Sequence, residues 1–275
     1  MRKRSLIFVV LMSYSTLAQV SSGTIIITNI TKDKVVVAAD SLSNRVLDHR
    51  RVPNYSQCKL EALSHQFIFT SGGNTAWWDH DAIAWDNFVL ARNAIRSAKK
   101  GEHGAIDLDD GIRLWASDVK SHWDRIDRQR VAELAAAYGG QITAGAFIGK
   151  ELTLRVGMIY FNASNMLDPI QYRIGRGDVN CWPCGQLEGS KICGQGIHLD
   201  VASKFCSERK HGDRIDVRTR LQEADESTKL PVKIIEMSID TYGTTKDIGG
   251  SVDAVTMTKD GRITWNSRKA NCPEN

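Results

Sequence analysis

The chain has no excess of charge of one sign. Its 36 basic residues against 32 acidic ones are spread along the whole length, with neither a basic nor an acidic tail, which excludes the footprint of a nucleic-acid binder. It also lacks internal repeats, low-complexity tracts and an interdomain linker, so a solenoid and a disordered chain are excluded. Beyond the N-terminus no segment has the length and apolarity of a membrane helix. Metal-ligand spacing is missing as well. Cys181-Trp182-Pro183-Cys184 is the one close cysteine pair, and neither a second such pair nor His-x-x-x-His follows it. His49, His65, His103, His122, His198 and His211 show no ligand spacing, and Asp79-His80-Asp81 would diverge on the helix expected there. No metal and no cofactor is expected.

What is present is enough for one large core: 275 residues, 42% of them hydrophobic and 25% charged. The N-terminus has the make-up of a secretory leader over 1–18. Arg2, Lys3 and Arg4 form a positive head, Leu6 to Met12 an apolar stretch, and Thr16-Leu17-Ala18 a small-residue cleavage pattern. That predicts a secreted or periplasmic protein, with a cytoplasmic one as the fallback if the leader does not function. In an exported chain the six cysteines can form disulfides, and a loop-stapling Cys181–Cys184 bridge is preferred over free thiols or catalytic exchange.

Hydrophobic periodicity gives the element order. Thr24 to Ile30 and Lys34 to Ala39 form a hairpin of β-branched strands around Thr31 to Asp33. A polar stretch, Ser41 to Gln57, leads to a second hairpin, Cys58 to Leu63 with Gln66 to Ser71, ending at a Gly72-Gly73 turn. Helical spacing follows over Asn74 to Ala98 and again over Leu108 to Tyr138. Strands return at Gln141 to Ile148 and Leu152 to Tyr160, with a further stretch at Asp168 to Ile174. Helices over Ile197 to Cys206 and Val232 to Tyr242 precede a last hairpin, Val252 to Thr258 with Arg262 to Trp265. Runs of strands alternating with runs of helices do not make a parallel α/β fold. They predict an α+β protein, a four-layer αββα sandwich of two antiparallel sheets flanked by helices.

The chemistry centres on Gly23-Thr24. Cleavage there would make Thr24 a new N-terminus, carrying a hydroxyl nucleophile and a free amine able to take its proton. A terminal amine titrates at about 7.7 to 8.0, against about 10.4 for an ordinary lysine, so the amine is the better base near neutrality. A cationic Lys59 beside the hydroxyl would favour its deprotonated form, and Asp40 would hold that lysine charged and oriented. The backbone N–H of Gly72 would supply an oxyanion hole. Taken singly, Thr24 is a strand residue, Asp40 a strand end, Lys59 a solvated cation and Gly72-Gly73 a turn. Their order and spacing give them joint meaning.

That order resembles the N-terminal-nucleophile (Ntn) hydrolases, specifically proteasome β-type subunits and their bacterial relatives. The carrying motifs are Gly23-Thr24, Val37-Ala38-Ala39-Asp40, Lys59-Leu60 and Ser71-Gly72-Gly73, with Asp40 sixteen residues after Thr24 as in that family. Ile192-Cys193-Gly194-Gln195-Gly196 is similar to the family's Gly-Ser-Gly turn, and Lys246-Asp247-Ile248-Gly249-Gly250 to its Asp-x-x-Ser-Gly stretch. The resemblance implies supporting roles for Gln195 and Asp247 around the threonine amine. Three departures stand out: Gln195 replaces a hydroxyl residue, Gly250 falls at the usual serine with Ser251 beside it, and three extra residues separate Asp40 from Lys59.

The resemblance implies a domain over 24–275, a short propeptide at 19–23 released by self-cleavage, and a threonine-type peptidase or amidohydrolase, which the leader would make an exported one. Its substrate would be a peptide or small amide, with no nucleic acid, no membrane after leader removal, and a possible homo-oligomer. The alternatives are a catalytically degenerate scaffold subunit and a small-amide acylase.

Overall fold

The computed structural model describes residues 19–22, 24–47, 50–55, 57–64, 66–79, 82–101, 104–137, 139–177, 181–183, 191–196, 229–242, 248–270 and 272. The expected leader over 1–18, Gly23, Cys184, the helix expected over Ile197 to Cys206, and Asp247 lie outside these described residues.

Strands β1 (Gln19–Ser22), β2 (Ile25–Ile30), β3 (Lys34–Ala39), β4 (Ser43–Leu47), β5 (Arg50–Asn54), β6 (Leu60–Ser64), β7 (Phe67–Gly73), β8 (Ala76–Asp79) and β9 (Ala82–Asp86) come first. Helices α1 (Asn87–Ser97), α2 (Leu108–Trp123) and α3 (Arg128–Ala137) follow. Then come β10 (Gln141–Gly149), β11 (Thr153–Tyr160), β12 (Gln171–Arg176), β13 (Cys181–Pro183), β14 (Lys191–Gly196), α4 (Leu230–Tyr242), β15 (Asp253–Thr258) and β16 (Ile263–Ser267). No helix among them is long and apolar enough to cross a membrane.

The β2–β3 hairpin closes on Thr31, whose Oγ1 donates to Lys34 O at 3.0 Å and accepts from Lys34 N at 3.1 Å. These strands are the middle of a six-stranded sheet ordered β13-β14-β2-β3-β15-β16, antiparallel throughout. Both faces of β2 and β3 are buried, which is why they carry the apolar runs Ile25 to Ile27 and Val35 to Ala39 without alternation. Ile25, Ile27, Ala38 and Ala254 pack under Ile234 and Ile235 of α4. On the opposite face Ile26, Val35, Val37 and Val255 meet Leu60, Ile68, Ala146 and Ile148 of a second, five-stranded sheet ordered β12-β11-β10-β7-β6. The far side of that second sheet carries Phe69 and Phe147, covered by Phe88 of α1 and Trp115 and Trp123 of α2. Each such fully buried side chain contributes about 1.5–3 kcal/mol.

Three differences from the sequence expectations matter. A third sheet, ordered β5-β4-β1-β8-β9, is built from segments expected to be loop and helix. The polar stretch from Ser41 supplies the β4–β5 hairpin, with Ser43 opposite Asn54 and Arg45 opposite Val52. The tryptophans expected on a helix over Asn74 to Ala98 instead sit on the β8–β9 hairpin, where Trp77 faces Trp85 and a bulge at Trp77/Trp78 disguises the two-residue period. The helix begins only at Asn87 because Asp86 caps it, its Oδ1 accepting from Phe88 N at 2.7 Å and Val89 N at 3.2 Å. The single helix expected over Leu108 to Tyr138 is two helices. A turn at 124–127 ends α2, and Asp127 Oδ1 accepts from Arg130 N at 3.1 Å to start α3.

Candidate functional site

Thr24 stands between β1 and β2, directly at the start of the deeply buried β2–β3 hairpin. Its side chain is 2% exposed and lies against Gly72: a Cβ built on that glycine would be 3.5 Å from Thr24 Cγ2. Strand β7 thus delivers the Gly72 backbone to the threonine, where an added Cβ would be in ordinary van der Waals contact. At the next residue the chain turns, with φ +75° at Gly73 and a hypothetical Cβ 2.7 Å from Ile142 O, so any side chain would be forced into backbone. The expected tight turn is therefore a strand end rather than a free loop.

The backbone of this strand end rests on buried polar side chains that no motif or spacing groups together. Ser71 Oγ donates to Ala144 O at 3.0 Å and accepts from Asn87 Nδ2 at 2.8 Å. Asn74 Nδ2 donates to Ile142 O at 3.0 Å, while Asn74 O accepts from Thr143 Oγ1 at 2.8 Å. Trp123 Nε1 closes the network on Thr143 Oγ1 at 3.1 Å.

Asp40 ends β3 and is wholly buried, with three donors on its carboxylate. Oδ1 accepts from Ile25 N at 2.9 Å and from Lys59 Nζ at 2.7 Å, and Oδ2 accepts from Gly249 N at 3.0 Å. One carboxylate oxygen therefore joins the backbone immediately after Thr24 to the Lys59 ammonium. Lys59, 1% exposed, also donates to Leu42 O at 2.5 Å. Burial pushes its proton affinity below the ordinary lysine range; the attraction and hydrogen bond of Asp40 oppose that shift, and the positive charge of Lys269 adds to it. An ion pair this deep is poor evidence of stabilisation, since removing both charges from water costs as much as their attraction returns. Buried, perturbed titratable pairs concentrate at functional sites.

The stretch around Gly250 completes the pocket of Asp40. Ser41 N and Leu42 N donate to Gly249 O at 3.1 and 2.8 Å. Gly250 has φ +77°, and a Cβ there would come 2.4 Å from Ser41 Oγ and 3.2 Å from Tyr55 O. A serine at 250 does not fit this backbone. The hydroxyls lie on either side of it instead, Ser41 Oγ donating to Ser251 O at 2.7 Å with Ser251 Oγ 3.4 Å away.

The structure thus brings Thr24, Asp40, Lys59 and Gly72 together. Gln195 is placed by its backbone alone, on β14 opposite Ile26 and so beside the threonine's strand. Gly23 and Asp247 are outside the described residues, as is Cys184 of the expected Cys181–Cys184 bridge; the β13 backbone sets Cys181 opposite Cys193. The disulfide that is described joins Cys58 to Cys272. Its one sequence signal was a cysteine immediately preceding Lys59. Also unforeseen were Leu42 O and Gly249 N as partners of the ion pair, because backbone groups carry no sequence signature. Among the described residues no group of three or more His, Cys, Asp or Glu could hold a metal ion.

Strand β1 leads into the site from the N-terminal side. It is the central strand of its sheet, with Ser21 and Ser22 opposite Arg45 and Asn44 of β4, and Gln19, Val20 and Ser21 opposite Trp78, Trp77 and Ala76 of β8.

No family model and no curated protein sequence matches the chain. Solved structures do. Anbu, described as an ancestral β-subunit, from Yersinia bercovieri superposes with a TM-score of 0.50 at 9% identity, over 90% of this chain and 88% of that one. Anbu from Hyphomicrobium sp. strain MC1 gives 0.47 at 16% identity over the same shares of the two chains, and its Gly-1 mutant 0.48 at 16%. At these identities the likeness is one of fold: a mixed α/β fold with antiparallel sheets, similar to that of Anbu from Yersinia bercovieri.

Proposed function

We propose that this chain is an exported, self-processing threonine hydrolase of amide bonds that acts on extended peptides. The single observation that carries the reading is the oxygen of Asp40 shared between the backbone after Thr24 and the buried Lys59 ammonium. The layering that goes with it is the αββα sandwich, supported by clusters of core residues between the two larger sheets and under the helices on their outer sides. The third sheet is an addition to that plan.

Processing is an acyl shift followed by hydrolysis. Thr24 Oγ1 attacks the Gly23 carbonyl carbon, its proton passes to the Thr24 nitrogen as the C–N bond breaks, and an ester replaces the amide. Water then cleaves the ester, leaving a carboxylate on Gly23 and a free amine and hydroxyl on Thr24. In turnover the new amine takes the hydroxyl proton, Oγ1 adds to the substrate carbonyl, the proton goes to the leaving amine, and water releases the acyl group. Lys59 stabilises the developing alkoxide, Asp40 holds Lys59, and Gly72 N–H receives the oxyanion. Gln195 and Asp247 support the amine.

Peptide is favoured over small amide by the position of β1. A four-residue extended segment lying antiparallel between β4 and β8 marks a slot whose two edges offer strand hydrogen bonds. Release of 19–23 vacates that slot beside Thr24. Export is supported by the Cys58–Cys272 bridge, which belongs to an oxidising compartment.

The test is the mass of the purified protein. A start at Thr24 is expected, with Thr24→Ala uncut at that bond and at least about a thousandfold less active on peptide substrates. A start at Gln19 in wild-type protein sinks the processing claim. The scaffold reading draws on one observation, the absence of a fitting hydroxyl at Gly250. Mature protein that a threonine-directed electrophile fails to label would favour it.

A further inference from the structure

The Cys58–Cys272 disulfide joins residues 214 apart in the sequence, and its two ends have unequal surroundings. Cys272 is 4% exposed and belongs to the segment after β16, which folds over the first residue of β15. Lys269 N donates to Asp253 Oδ1 at 2.9 Å, the Lys269 ammonium pairs with Asp253 Oδ2, and Cys272 Sγ lies 3.6 Å from that same oxygen. Cys272 N donates to Lys269 O at 3.1 Å, and Arg268 Nη1 donates to Cys272 O at 3.3 Å. Asp253 in turn sits opposite Ala39 on β3, one residue before Asp40.

Cys58, by contrast, is on a stretch with long hydrogen bonds. Gln57 N reaches Ser41 O at 3.2 Å, Ser71 N reaches Lys59 O at 3.4 Å, and Gln57 Nε2 reaches Cys58 O at 3.5 Å. Strand β6 starts only at Leu60. The backbone that carries Lys59 into the core is thus held covalently, through its neighbour, to a tail pinned one register step from the counter-ion of Lys59. The tail also brings a second cation into the same neighbourhood. The charged groups facing Lys59 are Asp40 from the end of β3 and Lys269 from this tail, itself paired with Asp253 of β15.

We infer that the Cys58–Cys272 disulfide is a positioning device for Lys59, fixing the ammonium against Asp40 so that Thr24 is fully reactive only in the oxidised chain. The inference rests on the reading of Thr24 as nucleophile. A dithiol such as dithiothreitol supplies two electrons and two protons: the Cys58–Cys272 S–S bond breaks, both sulfurs become thiols, and the reagent closes to its cyclic disulfide. Residues 57–59 and 268–272 then lose their covalent link. Lys59 keeps its partners in kind but not in geometry, and a displacement of about 1 Å at a reacting centre costs about a hundredfold in rate.

The experiment labels mature protein, freed of dithiol and with its thiols blocked by iodoacetamide, with a biotinylated peptide epoxyketone, which needs both the hydroxyl and the amine of an N-terminal threonine, and separates the maximal inactivation rate from the half-saturating probe concentration. It compares oxidised wild type, dithiol-reduced wild type, reoxidised wild type and Cys272→Ser, all well below their measured unfolding temperatures. Reduction and Cys272→Ser should each lower the maximal rate by about tenfold to a hundredfold, with half-saturation changed less than about twofold. Reoxidation should restore wild type, and the dithiol should have no effect on Cys272→Ser. Equal maximal rates in every form, with only the unfolding temperature lowered, would overturn the inference and make the bridge a staple. Failure of oxidised mature wild type to label would remove the nucleophile reading and this inference with it. Should Cys272→Ser not fold, the reduced and reoxidised wild type decide alone.

Discussion

The two sheets that meet at Thr24 are made differently. The six-stranded sheet has at its centre β2, β3 and β15, six-residue strands that are buried along almost their whole length, and it holds Asp40 at the end of β3. The sheet centred on β1 has strands of only four or five residues, and its two hairpins are joined through the four residues of β1 alone. One side of the nucleophile is thus built to stay and the other is built around a segment that processing would remove. Rigid support under the reacting group and a replaceable strand over it is the division of labour that a self-cleaving enzyme needs.

The largest effect that could break this comparison is loss of the ion pair on the permanent side. Lys59→Met leaves Asp40 as a buried carboxylate with Ile25 N and Gly249 N as its described donors. Removing one partner of such a pair costs about 3–5 kcal/mol, so the variant should unfold far earlier in denaturant as well as lose activity. The pH dependence has a definite sign. Because burial depresses the affinity of folded Lys59 for its proton, the unfolded chain binds more protons between the lowered value and 10.5. Wild type should therefore gain stability relative to Lys59→Met as pH rises through that window, and show no such relative gain below it. A flat difference between the two across the alkaline range would mean that the lysine is not desolvated.

A smaller effect is expected at Gly250. Gly250→Ser restores the residue type that the family resemblance leads one to look for, but at φ +77° and 2.4 Å from Ser41 Oγ it should destabilise by about 1–3 kcal/mol. It should also disturb Gly249 N on Asp40, so activity should fall rather than rise. Improved turnover in Gly250→Ser would show that the missing hydroxyl, not the backbone, limits the site.

This contrast explains what the sequence disclosed. The hairpin of β2 and β3, the strands β10 and β11, and the last hairpin were legible because burial on a regular period writes itself into residue types. The grouping of Thr24, Asp40, Lys59 and Gly72 was legible through order and spacing. Trp77 and Trp85 misled because a bulge shifts one of two short strands and imitates a helical interval. The β4–β5 hairpin stayed hidden because Val52, Pro53 and Asn54 are exposed and carry no alternation. The Cys58–Cys272 bridge was hidden for a different reason: six cysteines allow many pairings, and proximity in sequence drew attention to Cys181 and Cys184.

The smallest effect sharpens the comparison within the replaceable side itself. Once 19–23 is released, β4 and β8 each lose a strand partner, yet their hairpins are not equally anchored. Trp77 and Trp85 pack edge-on against Trp123 at centroid distances of 5.6 and 5.3 Å, and Trp85 stacks on His122 at 5.7 Å, tying β8–β9 to α2. Val52 on the other hairpin's return strand and Tyr55 just after it are exposed at 41% and 59%. Amide exchange in mature protein against Thr24→Ala should therefore quicken in β4–β5 much more than in β8–β9, while global stability changes by less than about 1 kcal/mol. Equal quickening in both hairpins would mean that the tryptophans do not hold β8–β9 without β1. No quickening in either would mean that the severed strand stays seated between them.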